Sequence, residues 1–583
     1  MEPHHVNRSV AVRLTEESSI AVGTQHALQD TDMAWSPGAT SLRAGSVIVT
    51  MSDQVAFSED MLVGLTPEQR EAVMSPAKRL LVRATAGSGK THVLTLRIQR
   101  RISQGEIEPN QVLAMTFTRK AGDELRRRLS RSGIRDIRAG TFHRAALTLV
   151  NQYREDHHLT PLVIEANRRR LVTTLATQVN AAGEIRLEDW QLPRLEQDIG
   201  WALSQGFNGA LYAKNAKKSR RDAPLSPAQF ANVLDRYVGL CHSRGVLDFD
   251  LLLSEAITLL RDEPNVLASF RHHHTSLYVD ETQDMNPLQF MLLRHMAGDD
   301  PDLFCVGDPN QSIYGFNGAS PHLLSEIIRT WPDTLALDLT RNHRSTANII
   351  AVANTLLDEG AQGITPAKDQ VDVPMVRAYD TDEQEASHVA RWLSAKHQPG
   401  SPWRTMAVLA RTNAQLELLA SHLDALDIPY ERRGPEHSPA SDLANANEAW
   451  SRQLDDDHID AVALSTIHRA KGLEFQHVAA IGWAEGQLPN YNATSPAQID
   501  EERRLAYVAL SRAEDSLLIT WSRGRNDPRY PDRAPSRFLA PIDQVIADIE
   551  TRDAPLTGEA RKARLAAIRR ELEKSLNEGN VSL

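Results

Sequence analysis

Of 583 residues only two are cysteine and only 5% are aromatic. Cys241 and Cys305 cannot build a disulfide scaffold or a four-thiolate zinc site, and such low usage fits a reducing compartment. No stretch approaches the roughly eighteen uninterrupted apolar residues of a membrane span, and the N-terminus lacks a basic region followed by an apolar run. The expectation is a cytoplasmic protein with no membrane partner. Lysine is scarce too, at 11 residues against 54 arginines. Basic residues are outnumbered 65 to 76, a formal charge of −11, which excludes binding nucleic acid by bulk charge. Residues 1–60 carry net −5 and residues 434–461 net −6, so these two segments hold the whole acidic excess. A local basic surface elsewhere therefore remains open.

With 41% of its residues apolar, the chain buries a large core but is too long for one compact domain. Short apolar strand candidates end in polar or Gly-rich turns and are followed by helical stretches, an α/β pattern with parallel sheets. They are Arg79–Arg83, Gln111–Phe117, Ser276–Val279, Leu303–Val306, Thr334–Leu339, Met406–Ala410, Ala461–Ser465, His477–Ile481 and Ser516–Trp521. Residues 144–248 show almost no strand signal and read as a helical insertion, while residues 1–60 lack periodicity and read as weakly ordered. The apolar stripe Leu565, Ile568, Leu572 and Leu576 predicts a helix in the tail 541–583. His272-His273-His274 lacks companion cysteines and reads as a solvated turn rather than a metal site. The basic run Lys214–Arg221 has two readings, a solvated loop or a track for phosphates.

After the first strand comes Ala84-Thr85-Ala86-Gly87-Ser88-Gly89-Lys90-Thr91, and then the helical pattern beginning at His92. Glycines let backbone N–H groups turn toward a β-phosphate, the helix N-terminus adds its dipole, Lys90 supplies a cation and Thr91 a hydroxyl for Mg²⁺. The partner carboxylates should end a second apolar strand. Leu277-Tyr278-Val279-Asp280-Glu281 does so, with Asp280 placed to hold Mg²⁺ through water and Glu281 to deprotonate the attacking water. Together the two motifs read as an ATP-hydrolysing site.

The run Val279-Asp280-Glu281-Thr282-Gln283-Asp284 and the run Val306-Gly307-Asp308-Pro309-Asn310-Gln311-Ser312-Ile313-Tyr314-Gly315-Phe316 extend the pattern. With them the sequence resembles the UvrD/Rep/PcrA-type superfamily 1 DNA helicases, from about Leu65 to Trp521. Leu65-Thr66-Pro67-Glu68-Gln69 resembles the family's adenine-reading motif. Thr116–Ala121 and Gly140-Thr141-Phe142-His143 resemble its early DNA-contacting motifs. Leu339–Ser345, Ser465–Phe475 and Glu501–Ala513 complete the set.

The resemblance implies two RecA-like motor domains, 61–143 with 249–335 and 336–433 with 462–540, and a 1B-type insertion at 144–248. It places Gln69, the loop Ala84–Thr91, His92, His343, Arg344, Glu474 and Arg512 around ATP, with Glu474 on the ribose. Lys90, Glu281 and Gln311 act from the first domain, and Arg344 and Arg512 reach across as arginine fingers. Asp308, Gln283 and Asp284 would couple nucleotide to DNA. Single strands would lie on aromatic platforms drawn from Phe117, Phe142, Tyr314 and Phe316, flanked by Thr116, His143, Arg411, Asn413, Thr466 and His468. Arg341, Arg503 and Arg504 read as surface ion pairs.

Departures from the pattern carry their own expectations. His343 stands where the family usually has an adenine-stacking tyrosine, His92 where an arginine follows the loop threonine, and Thr282 where an aromatic is usual. Phe316-Asn317 replaces a usual Trp-Arg, removing a phosphate contact. Where the family inserts the large 2B subdomain, only the short acidic segment 434–461 stands. The activity implied is DNA-stimulated ATP hydrolysis with 3′–5′ movement on single strands and unwinding at junctions with duplex, in repair, replication or recombination. The alternative is an ATP- and DNA-end-sensing regulatory subunit of a nuclease or anti-phage complex. The 62 residues after Trp521 hold no nuclease constellation, so any nuclease would be a partner protein.

Overall fold

The computed structural model describes residues 57–183, 185–219, 225–357, 363–369, 372–432, 460–524 and 532–553. The acidic extension to residue 56, nearly all of segment 434–461, the last two residues of the basic run 214–221 and the tail stripe 565–576 lie outside the described residues.

Two six-stranded parallel sheets carry the molecule. The first takes β1 (Arg79–Ala84), β2 (Val112–Thr116), β3 (Arg138–Thr141), β6 (Ser276–Val279), β7 (Asp302–Gly307) and β8 (Leu335–Leu339) in the order β3-β2-β6-β7-β1-β8. The second takes β11 (Met375–Thr381), β12 (Met406–Ala410), β13 (Tyr430–Arg432), β14 (Val462–Thr466), β15 (Phe475–Ala480) and β16 (Ala513–Gly524) in the order β11-β16-β15-β12-β14-β13. Among the described residues two short pairs complete the strands, β4 (Val163–Ile164) with β5 (Val246–Leu247) and β9 (Arg341–Thr346) with β10 (Thr365–Lys368). Parallel strands are covered by helices on both faces, so they read as apolar runs rather than alternating ones. β2, β6, β12 and β14 are indeed buried at every position. This is the α/β architecture of two RecA-like domains.

β1 lies between β7 and β8, with Leu80 opposite both Phe304 and Leu335. Strand order reverses about this strand, and ligands of open parallel sheets sit beyond the C-terminal ends of strands at such a switch point. The loop Thr85–Gly89 leaves β1 there. Because β8 belongs to this first sheet, the domain boundary falls after Leu339 and not after residue 335: Leu337 and Leu339 pair with Val82 and Ala84.

Among the described residues of 144–248, the regular structure is helical apart from the paired strands β4 and β5. The insertion has its own apolar core, including Leu175, Ile199, Phe230 and Val233. At its exit Arg168, buried, donates to Asp248 at 2.8 Å and Asp250 at 2.5 Å, and the Tyr237 hydroxyl donates to Asp248 at 2.7 Å. A buried charge needs this degree of pairing to be tolerated. The helix Leu539–Asp553 returns the C-terminal part to the second domain, with Ile542 and Ile546 in its core. Ala86 and Ile313, from loops of the first sheet, are buried in the same apolar cluster as Tyr507 and Val508, so the two domains meet at the loop that follows β1.

Candidate functional site

The turn after β1 depends on two left-handed glycines, Gly87 (φ 69°) and Gly89 (φ 78°). A Cβ at Gly87 would stand 2.6 Å from Asn342 Nδ2, and one at Gly89 would stand 3.0 Å from Gln69 Nε2. Both close approaches are hydrogen-bonded: Asn342 Nδ2 donates to Ala86 O at 2.8 Å, and Gln69 Nε2 donates to Ser88 O at 2.9 Å. Gln69 Oε1 accepts from Thr66 N, closing a capping box on the helix Pro67–Met74. Thr85 N–H donates to Leu339 O at 3.0 Å, the Ser88 hydroxyl to Thr85 O at 2.7 Å and His343 N–H to Gly87 O at 2.9 Å. The loop is therefore held by both domains. Lys90, Thr91 and His92 open the helix Lys90–Ser103, whose N-terminal dipole faces the loop. The His343 ring is exposed beside it.

Asp280 follows β6, its N–H donating to Met115 O at 2.9 Å. The Thr91 hydroxyl donates to Asp280 Oδ2 at 3.3 Å. Glu281 sits in the left-handed region at φ 52°. Burial first, and then Glu281, raise the Asp280 pKa. Burial opposes ionisation of Glu281 too, but Lys90, Lys471, the Gln283 amide and Arg512 outweigh it and hold that carboxyl below its ordinary range. Two adjacent acids are thus driven apart, which is how one site obtains distinct roles from like groups. The Asp280 carboxylate and Thr91 hydroxyl are hard oxygen donors, and a dication beside Asp280 would relieve the penalty of burying its charge, so the pair fits Mg²⁺.

From Glu281 an unbroken hydrogen-bonded chain crosses to the second domain. Gln283 Nε2 donates to Glu281, and Gln283 Oε1 accepts from Asp308 N–H at 2.9 Å. Asp308 Oδ2 accepts from Gln311 Nε2 at 2.8 Å, and Gln311 Oε1 accepts from Arg512 Nη2 at 3.3 Å. Burial and Arg344 push the Arg512 pKa down to about 10, which still leaves it charged at neutral pH. Its Nε and Nη1 donate to Val508 O and Leu473 O, both at 3.1 Å. Arg344 Nε pairs with Glu474 Oε2 at 2.7 Å and its Nη1 donates to Ser511 O at 3.2 Å, so the guanidinium and the expected ribose contact hold one another. Lys471 Nζ grips Asp284 at 2.5 Å and Gln311 O at 2.6 Å, a second bridge between the domains.

The aromatic set lies further along the same segment. Phe117 stacks on Tyr314 with centroids 5.1 Å apart, Tyr314 meets Phe316 edge-on at 6.1 Å, and Phe316 meets His468 edge-on at 5.7 Å. The Tyr314 hydroxyl donates to His468 O at 3.3 Å, and Phe316 is 48% exposed, an open ring face. Burial, Arg411 and Lys471 push the His468 pKa down to about 3, so the ring is neutral at physiological pH. Arg411 is bidentate on Glu502, Nη2 on Oε1 at 2.8 Å and Nε on Oε2 at 3.2 Å, and Asn413 begins the helix Asn413–Asp424.

Four expectations are corrected by burial or bonding. Phe142 is 2% exposed in the core of the first domain and presents no stacking face. Thr116 is fully buried, its hydroxyl donating to Thr118 O at 2.9 Å, and so offers DNA no side chain. Thr466 is fully buried at the N-cap of the helix Ile467–Ala470. Arg504 is more than a surface charge, for its Nε donates to Ser312 O at 2.7 Å across the interface. His143 lies edge-on to Phe249 at 5.6 Å, at the start of the helix that follows the insertion, and burial pushes its pKa down to about 4. Sequence reasoning missed Asn342, Tyr507, whose hydroxyl accepts from Ala86 N–H at 3.4 Å, and Glu501. Asn342 lies 256 positions from the carbonyl it binds, and no signal in a single sequence links the two.

A phosphate cradle on one parallel sheet, an acid pair and arginines brought from a second sheet define a P-loop ATPase with a site shared between two motor domains. Profiles of the UvrD/REP helicase N-terminal domain and the UvrD-like helicase C-terminal domain match residues 65–332 and residues 337–437 and 431–524. The chain belongs to the UvrD-like DNA helicase family. It is 30% identical to the ATP-dependent DNA helicase UvrD2 of Mycobacterium tuberculosis, over 88% of this chain and 85% of that protein. It is also 30% identical to DNA helicase II of Escherichia coli, over 64% of this chain and 52% of that protein. A third relative, the putative ATP-dependent DNA helicase YjcD of Bacillus subtilis, is 28% identical over 83% of this chain and 65% of its own length.

Proposed function

We propose that the chain is a DNA-stimulated ATP hydrolase that moves 3′ to 5′ on single-stranded DNA and opens duplex at its junctions. The observation that carries this reading is the chain Glu281–Gln283–Asp308–Gln311–Arg512, because it ties the base to a cation of the other domain along the segment that ends in Phe316. Glu281 takes the proton of the attacking water, while Lys90, Gln311, Arg344 and Arg512 neutralise charge developing on the phosphates. Arg344 leaves Glu474 to do so, freeing that carboxylate for the ribose. Thr91 and Asp280 would hold Mg²⁺, which when bound would supply further charge neutralisation at the phosphates. Phe117, Tyr314 and Phe316 carry bases, and closure of the cleft on ATP moves them relative to the second domain's Arg411, Asn413 and His468. Polarity and a role in repair, replication or recombination follow from the family resemblance.

Only residues 433–461 join β13 to β14, a short connection where the family carries its 2B subdomain. This favours a second reading, a translocating or DNA-sensing subunit that unwinds weakly and serves a partner nuclease. Strand displacement on duplexes with 3′ or 5′ single-stranded tails separates the two. Displacement only with the 3′ tail supports the motor, displacement only with the 5′ tail overturns the polarity, and DNA-stimulated turnover without displacement supports the subunit.

A further inference from the structure

Between Asp308 and Asn317 the first domain offers a strap whose far end is the exposed ring of Phe316, and one helix of the second domain holds that strap along its length. The helix Pro496–Leu510 carries Glu501, whose Oε1 accepts from Gly315 N–H at 2.8 Å, and Arg504, one turn later, whose Nε donates to Ser312 O at 2.7 Å. Just beyond its end comes Arg512, on Gln311 at 3.3 Å. Polarity alternates to suit: cations meet backbone and amide oxygens, and the carboxylate meets the one N–H. The fit at Gly315 is close, because a Cβ there would stand 2.6 Å from Glu501 Oε2. Glu502, the next residue, binds Arg411 and also accepts from Asn490 N–H at 3.0 Å. Glu501 is hydrogen-bonded to neither the loop after β1 nor Asp280 and Glu281, and its backbone contact is with the strap.

We propose that Glu501 and Arg504 are positioning residues that carry the state of the nucleotide site to the base-stacking strap. When Arg512 changes partner from Gln311 to a nucleotide phosphate, the helix shifts as a rigid rod, and through Gly315 and Ser312 it takes the Phe316 ring with it. The strap is thereby coupled to ATP through the backbone as well as through Gln311. Taking this half-buried acceptor from a backbone N–H leaves the donor without its protein partner, so the strap loses its register when Glu501 is removed. An amide oxygen accepts the same bond, so Gln at this position preserves it.

This inference rests on the reading of the chain as a DNA-stimulated motor. The test is steady-state ATP turnover of the full chain, without DNA and over a titration with oligo-dT, for wild type, Glu501→Ala, Glu501→Gln, Gly315→Ala and the double variant of Glu501→Ala with Gly315→Ala. Glu501→Ala is expected to raise the DNA concentration for half-maximal stimulation on the order of tenfold, with DNA-free turnover unchanged. Glu501→Gln restores wild-type response, and Gly315→Ala reproduces the defect of Glu501→Ala without adding to it in the double variant. Wild-type DNA response in Glu501→Ala, an equal loss of DNA-free turnover, or failure of Gln to rescue overturns the coupling. Absence of DNA stimulation in the wild type overturns the motor reading itself.

Discussion

Glu281 sits at φ 52°, a backbone region that costs a non-glycine residue on the order of 1–3 kcal/mol and persists only where its surroundings impose it. Here the surroundings are Asp280, Gln283 and the cations that keep Glu281 ionised. Glu281→Gln retains the shape and removes the base: turnover is expected to fall on the order of 10²–10⁴-fold while nucleotide affinity in an equilibrium titration stays within about twofold. Normal turnover in this variant would refute the assignment. Since Glu281 titrates below its ordinary range, acid inhibition by this group sets in only as pH falls through that lowered value.

A second residue makes a pH prediction about stability. Burial, Arg138 and His273 push the His274 pKa down to about 3. An unfolded histidine titrates near pH 6.5, so between these values the unfolded chain binds the proton and the folded one does not. Stability then falls as pH drops from about 6.5 toward about 3, by about 2 kcal/mol at pH 5. Urea titrations at pH 7.5 and 5 should show His274→Asn escaping that share of the loss, and parallel losses in both proteins would contradict it.

At the scale of elements, the nine strands expected from apolar runs all form, and most of them are covered on both faces, where burial is carried in composition alone. The motifs at their C-terminal ends were legible for the same reason, since phosphate and carboxylate chemistry needs fixed residue types at short spacing. Edge strands such as β3, whose residues are Arg-Ala-Gly-Thr, and β11, which is half exposed, lacked that signal. The helix Pro496–Leu510 displays Glu-Glu-Arg-Arg, which the sequence offers as surface charge, and only the fold shows Glu501 and Arg504 spent on the backbone of another domain. Phe142 failed in the other direction: a motif position and an aromatic ring say nothing about which way the ring faces. Phe316 is open, and Phe316→Ala is expected to weaken oligo-dT binding by about 1–3 kcal/mol in fluorescence anisotropy. Unchanged affinity would remove it from the track.

Across the whole molecule, the two sheets work as halves of one site. Each holds the other through Lys471 on Asp284, Arg512 on Gln311, Asn342 on Ala86 and Glu501 on Gly315. Every one of these contacts touches the nucleotide loop, the acidic segment after β6 or the segment that carries the aromatic rings. A change in domain separation therefore reaches nucleotide and DNA together, which is the physical content of coupling. Among the described residues no helix is long and apolar enough to cross a membrane. The most direct measurement is ATP turnover by the full chain with and without single-stranded DNA, in the presence of Mg²⁺. The account predicts turnover raised on the order of tenfold or more by DNA, equivalent to about 1.4 kcal/mol or more of coupling. Equal turnover in its presence and absence would contradict it.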